Sequence, residues 1–419
     1  MHMLLHKVLA CLSLASVLVA CGGNGHSAAP PTDLKVQTGD TQAVLSWTAV
    51  PGVEYWVWSA PDSKMTTQNC ILIKGCNILT KAVPPYTVTG LTNGTLYAFT
   101  VNARTDSGPG GPGASQVTAT PRLAAQTWSG MNPVANASIR GAVAGKTTNA
   151  STGVTTGLLV AVGDNGSVLS SPDGSTWTAQ SSGTSLQLRD VTYAYSKFYA
   201  VGQAGTLLSS KDGMSWSAVS LTSTQDLEAI AFNGTRLVAV GKNGTLLTTL
   251  NGTDWSLVSA GIAQDLLAAV YSPAGYWIAT GTASAVYKSA DGLSWAPVSA
   301  ATSGAWRSAA VLSQSSTING VVSTVYRLAL VSSTGETATS LDGVNWTTSA
   351  TSASGGLNKV VSGAEQFVAV GSAGRVLTSL DGTQWVVRES NTTQNLYALA
   401  RYSNVYYALG DQGVGIFSK

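Results

Sequence analysis

The sequence predicts an all-β chain in two parts, a sandwich-sized segment followed by a ring of repeated four-stranded units. Three observations lead there. A pattern of Gly-x-x-Gly, Asp-Gly and Trp recurs with its copies ending at Trp177, Trp216, Trp255, Trp295, Trp346 and Trp385, at intervals of 39, 39, 40, 51 and 39 residues. That period is the length of one four-stranded propeller blade. The apolar runs inside each copy are short, rich in Val, Leu, Tyr and Phe, and bounded by Gly, Asn, Asp and Ser, which is the signature of strands and not of helices. Residues 31–121 lack the repeat and show plain alternation instead.

Each unit reads in the same order. In the second, residues 190–194 give a first strand and residues 198–201 a second; Gly202-Gln203-Ala204-Gly205 turns into a third, and Asp212-Gly213 leads to Trp216. Asp-Gly between strands predicts a tight hairpin with positive φ at both central residues, and the Ser or Thr before it can accept turn amides. Blades one and five carry polar insertions, residues 146–156 and 313–321, between their first and second strands. The last unit, with runs at residues 396–399, 406–410 and 414–417, stops before its Trp, whereas Trp128 has no unit before it. Pairing residues 126–129 with residues 414–417 makes a composite closing blade, gives a count of seven and leaves no exposed sheet edge between first and last blades.

Ser171-Pro172-Asp173-Gly174-Ser175-Thr176-Trp177 resembles the Asp-box, or BNR, repeat of sialidase-like propellers. The segment 123–419 is more similar to the seven-bladed repeats of the photosystem II assembly and stability factor family. The resemblance implies a propeller whose boxes are structural turns on the outer edge of the blades. Sialidase-type boxes place one more residue between Asp and Gly, and Asn251 replaces the Asp in one copy.

From the start of the chain, Lys7 and the apolar run at residues 8–20 form a secretory signal too short to span a membrane. Leu18-Val19-Ala20-Cys21 resembles a bacterial lipobox, which implies cleavage after residue 20 and acylation of Cys21; Gly22 after it fits delivery to the outer membrane. Residues 21–30 then form a flexible tether. Cys70 and Cys76, the two cysteines left after the signal and the lipid, form a small disulfide in an oxidising compartment.

Residues 31–121 resemble a fibronectin type III sandwich through Pro31, Trp47 and Gly90-Leu91-Thr92-Asn93-Gly94-Thr95-Leu96-Tyr97. The last stretch matches a tyrosine corner, so Tyr97 is expected to bond back to the loop before it. A spacer is the default role. Trp56 and Trp58 share one face of a strand, and alternate Trp reads as core ahead of a sugar-stacking pair.

Only 10% of residues are charged and the net charge is +2, so there is no basic stripe for nucleic acid. His2, His6 and His26 all precede the folded domains, which leaves no metal cluster, no cofactor loop and no Ser-His-Asp set. Aligning the blades on their Val-Gly positions places Arg140, Arg189, Glu228, Ala268, Arg307, Asn358 and Tyr397 at one equivalent place where the innermost strands begin, at the channel mouth. Three guanidinium groups in so uncharged a chain suit a carboxylate or an acidic segment. The alternative is pairing with loop carboxylates, for example Arg189 with Asp226. Resemblance to the photosystem II factor family also implies an arginine patch that docks a membrane-protein tail.

The resulting expectation is a lipid-anchored envelope scaffold without catalytic residues, cofactor or metal, docking an envelope protein or glycan through an anionic group. A sialidase-like or other propeller glycoside hydrolase is the rival class. Arg140, Arg189 and Arg307 with Tyr397 and Glu228 resemble its arginine triad, nucleophile and partner. Ser138-Ile139-Arg140-Gly141 does not match the motif of that family, and sialidases have six blades where this chain gives seven.

Overall fold

The structure is a computed structural model that describes residues 26–132, 134–148, 152–302, 304–318, 321–351, 355–363 and 365–418. The signal segment, Cys21 and the start of the tether lie outside the described residues. The chain divides into two compact units, Met1–Arg122 and Leu123–Lys419.

In the first unit, a three-stranded sheet of Lys35–Gly39, Gln42–Ser46 and Tyr86–Thr89 accompanies a five-stranded one. The latter is built on Glu54–Ala60 and Tyr97–Arg104. Leu45, Trp47, Tyr55, Val57, Phe99 and Val101 fill the core between them. The Thr92 amide donates to the Tyr97 hydroxyl at 3.2 Å, the bond of a tyrosine corner, and Cys70 and Cys76 are disulfide-bonded.

Two expectations need correction here. Ser27–Ala28 pairs with Tyr97–Arg104 and the Thr105 amide donates to the His26 carbonyl, so the tether is shorter than residues 21–30 and His26 belongs to the sandwich. Because Tyr55 and Val57 take the core face of their strand, period two puts Trp56 and Trp58 on the opposite face, where both are half-buried.

The second unit contains seven four-stranded antiparallel sheets among the described residues. Their innermost strands are Ile139–Thr148, Leu188–Ala194, Leu227–Phe232, Leu266–Ser272, Trp306–Ile318, Leu357–Ser362 and Leu396–Tyr402. These lie side by side in chain order, and the innermost strand of the seventh sheet lies against that of the first. Each neighbouring pair of sheets encloses its own apolar cluster; Ile139, Leu159, Ala398 and Leu409 form the one that joins the seventh to the first. The two insertions lengthen the first hairpins of the first and fifth sheets; Trp306–Ile318 and Val321–Ser332 are the longest strand pair among the described residues.

The seventh sheet takes its fourth strand from the start of the unit. Phe417 pairs with Ser129 and Ile416 with Gly130. Trp128 is buried between the sixth and seventh sheets with Val376, Leu396 and Tyr406, and its indole N–H donates to the Ala125 carbonyl at 3.1 Å. Trp177 makes the same bond to Gly174 three residues back. Ala125, with φ 63°, therefore occupies the place that Gly174, with φ 77°, holds in its turn. The closing strand brings its own degenerate turn.

The turn chemistry differs from the expected hairpin. At the Asp-Gly turns only Gly has positive φ. Asp173 Oδ1 instead accepts the amides of Ser175 and Thr176 at 2.8 and 2.9 Å, and Ser171 Oγ accepts the Gly174 amide at 2.8 Å. The Thr176 amide, helped by Ser175 and Ser171, outweighs burial and holds the Asp173 carboxyl at about 2. Asn251 reproduces the pattern with its amide oxygen, accepting Thr253 and Asp254, which is why the sequence tolerates it. Two consecutive positive φ values occur instead in the Gly-x-x-Gly turns, as at Asn165 and Gly166 or Ala204 and Gly205.

Removing the closing tryptophan should cost what a buried aromatic costs. We expect Trp128→Ala to lose about 3 to 5 kcal/mol, measured by thermal or denaturant unfolding, and deletion of residues 123–130 to cause aggregation by exposing a sheet edge. A chain starting at Met131 that melts like the full one would contradict this closure.

Candidate functional site

The innermost strands share one irregularity. After its first residue each skips a register step, so that one residue opposes no partner: Leu188 pairs with Gly202 and Asp190 with Val201, which leaves Arg189 bulged. A bulge of this kind re-aims the extra side chain. The seven bulged residues are Arg140, Arg189, Glu228, Leu267, Arg307, Asn358 and Tyr397. All of them line one cavity of about 520 Å³. The fourth sheet thus presents Leu267 where the Val-Gly alignment gave Ala268. Its hairpin of first and second strands holds one extra residue, so counting back from Gly281 stops one residue short.

Half of the mouth is a belt of ion pairs, three cations among four carboxylates. Arg140 Nε and Nη2 donate to the two carboxylate oxygens of Asp164 at 2.9 and 2.8 Å, and its guanidinium stacks 4.3 Å from the centre of the Tyr397 ring. Gln187 bridges onward, donating to Asp164 at 2.5 Å and accepting from Arg189 Nε at 2.8 Å. Arg189 then spends its remaining arms on Glu228 at 2.5 Å and Asp226 at 2.9 Å. Lys242 closes the run between Asp265 at 2.8 Å and Glu228 at 3.9 Å. Bonding to Arg140 holds the Asp164 carboxyl below its usual range, whereas burial pushes Glu228 up against the pull of Arg189 and Lys242.

Asp226 and Asp265 are committed twice. Each also accepts a turn amide of the preceding sheet, Ala204 at 2.8 Å and Asn243 at 2.9 Å. Carboxylates that cap a turn stay where they are, so Arg189 and Lys242 are held as parts of the wall; Arg140 is held by both oxygens of Asp164 and by the Tyr397 ring. The loop pairing named for Arg189 is what the structure contains, and Arg140 follows it.

The other half of the mouth is different. Arg307 is exposed and donates Nη1 to Asn358 Oδ1 at 3.1 Å; among the described residues no carboxylate pairs with it. Asn358 is fixed by donating its Nδ2 to the Leu396 carbonyl at 2.9 Å. Leu267, Ala268, Ala305 and Ala309 make the adjoining wall apolar. Glu228 and Tyr397, the couple of a hydrolase reading, are each engaged by a different arginine.

Sequence reasoning missed one pair altogether. Lys359, on the sixth sheet, donates to Asp190, on the second, at 3.0 Å, and Asp190 also accepts the Ile230 amide at 3.1 Å. Both residues directly follow a bulge, where other sheets carry Gly, Ala or Ser. The signal was there as one Asp and one Lys in a column of small residues. Among the described residues no group of three His, Cys, Asp or Glu could hold a metal, and no helix is long and apolar enough to cross a membrane.

Two family models match the chain, a fibronectin type III domain over residues 29–120 and the DUF6242 beta propeller domain over residues 127–261. It combines a fibronectin type III domain with a β-propeller. No curated protein matches it. Among solved structures it is similar to YCF48 bound to D1 peptide, at 19% identity and TM-score 0.54, covering 69% of this chain and 94% of that one. YCF48 from Cyanidioschyzon merolae is similar at 17% identity and TM-score 0.53, with 70% and 98% covered. The WD40 beta propeller domain of Doa1 is similar at 12% identity and TM-score 0.52, with 70% and 96% covered. At these identities the likeness is one of fold.

The cross-channel pair yields a test of how the propeller is braced. Asp190 is almost wholly buried, so Lys359→Met leaves its carboxylate without a cation and should cost about 1 to 3 kcal/mol. Adding Asp190→Asn should return part of that loss in denaturant unfolding. Equal stability of the wild type and Lys359→Met would show that the pair is idle.

Proposed function

We propose that the propeller is a docking module for a peptide segment carrying a carboxylate, held without turnover at the open half of the mouth. The observation that carries this reading is Arg307, a guanidinium at the mouth with no carboxylate of its own, beside a fixed amide and an apolar wall. A desolvated carboxylate gains a charge-assisted, potentially two-pronged bond there, and the apolar wall accepts a neighbouring side chain. The three-arginine site of the sequence reading narrows to Arg307, with Asn358 and Tyr397 beside it and Arg140, Arg189 and Glu228 as supporting wall. One solved neighbour, YCF48, was captured with a peptide, which favours a protein segment over a glycan as ligand. In this reading the seven sheets are the seven blades of a closed propeller with a composite last blade.

The same proposal includes the setting: a lipoprotein anchored through Cys21, delivered to the outer membrane, with the fibronectin type III domain as spacer between lipid and propeller. Its support is the signal-length apolar run and the lipobox. Cys21→Ser should move the protein from the membrane pellet to the soluble envelope fraction; unchanged sedimentation would sink the anchor.

For docking, peptides selected from a random display library against the purified chain should be rich in Asp, Glu or a free carboxyl terminus. A contact of this kind contributes on the order of 1.5 to 3 kcal/mol, so Arg307→Ala should weaken their binding about tenfold or more. Arg189→Ala should mainly lower the melting temperature, and Glu228→Gln should keep the ligand. Peptides that bind Arg307→Ala as well as wild type would overturn the reading.

A further inference from the structure

One face of the fibronectin type III sandwich, the face opposite Tyr55 and Val57 on their strand, carries a groove. Trp56 and Trp58 stand on the solvent side of Glu54–Ala60 and line a groove of about 610 Å³. Each indole is locked in plane by its own N–H: Trp56 donates to Glu54 at 2.6 Å and Trp58 to Asn102 at 3.1 Å. With the N–H groups satisfied internally, what the rings present to the groove is hydrocarbon.

Around them the groove is polar but electrically balanced. The Arg104 guanidinium lies over the Trp56 ring, 3.3 Å from its centre, in the field of Glu54, and it donates to the Gly108 carbonyl at 3.2 Å. Thr67 and Gln68 also line the groove, and among the described residues no hydrogen bond engages either side chain. The glycine-rich segment 107–113 forms the third wall, stitched down by the Asn102 amide, which donates to the Gly111 carbonyl at 3.3 Å. Glycine at 110 leaves room for these side chains, because a Cβ there would make Asn102 Nδ2 and the Arg104 guanidinium shift. The segment therefore lies close against Asn102 and Arg104, the side chains that hold the indoles.

Fixed aromatic faces, a free hydroxyl, a free carboxamide and no net charge make up the chemistry that recognises a neutral sugar ring. The apolar C–H face of a pyranose packs on an indole, and its hydroxyls take up the side-chain amide and hydroxyl. We propose that this groove binds a neutral glycan chain, with Trp58 as stacking platform and Thr67 and Gln68 as hydroxyl partners. The locked indoles and thin glycine wall mean that little ordering accompanies binding.

The test is isothermal titration of the full purified chain with three neutral hexasaccharides, cellohexaose, laminarihexaose and chitohexaose, with a decaproline peptide as the competing chemistry. At least one hexasaccharide should bind with a millimolar or tighter Kd, and Trp58→Ala should weaken it tenfold or more. Because Trp58 also packs on the small cluster around Met65 and Cys70, Gln68→Ala is the second variant. It changes an exposed side chain and should weaken binding about threefold with an unchanged melting temperature. Arg307→Ala, in the propeller, should have no effect. No binding of any hexasaccharide at 5 mM, binding retained in both groove variants, or binding of decaproline alone would each overturn the proposal.

Discussion

The bulge after the first residue of every innermost strand decides what the mouth of this propeller is made of. A regular ladder would alternate side chains between the two faces of each blade. The extra residue breaks that alternation once, at the same place in all seven sheets, and delivers seven side chains to one cavity. The residue after the bulge is small in most sheets, which lets the innermost strands crowd together; where it is Asp190 and Lys359 the two meet as an ion pair between the second and sixth sheets. Site and brace come from one backbone device.

The charges at the mouth follow from how neighbouring blades are fastened. The loops entering the third and fourth sheets cap the preceding turns with Asp226 and Asp265, and those carboxylates then lie within reach of Arg189 and Lys242. Where the loop carries no carboxylate, as at Ala305 before Arg307, the guanidinium is left without a countercharge. The asymmetry of the mouth is therefore a by-product of which loops use Asp for capping. It leaves one half as wall and, in the other, a guanidinium with which no carboxylate pairs among the described residues.

Much of the fold was legible because each repeat carries the same strands, turns and tryptophan, and because the lone Trp128 and the truncated last unit complete each other. The misses were local and physical. The Asp-Gly turn was read by its φ requirement, whereas Asp173 acts through its carboxylate oxygen and leaves positive φ to Gly174 alone. Leu267 was displaced by one because a hairpin lengthened by a residue shifts everything counted across it. Alternate Trp at residues 56 and 58 reads as core, but the same period-two argument places both on the other face once Tyr55 and Val57 are seen to be the core pair. The Lys359 to Asp190 contact joins residues 169 apart in the chain, and no spacing rule predicts a bond between sheets that are not neighbours. The arginine pairing depended on loop carboxylates whose direction is fixed by capping, which the sequence does not display.

A crystal structure of the propeller with a selected acidic peptide tests the central claim most directly. We expect a ligand carboxylate within hydrogen-bonding distance of the Arg307 guanidinium, with the Asp164 to Arg140 and Arg189 to Glu228 pairs intact. A peptide carboxylate bound to Arg189 with Glu228 displaced, or a peptide lodged away from the mouth, would contradict it.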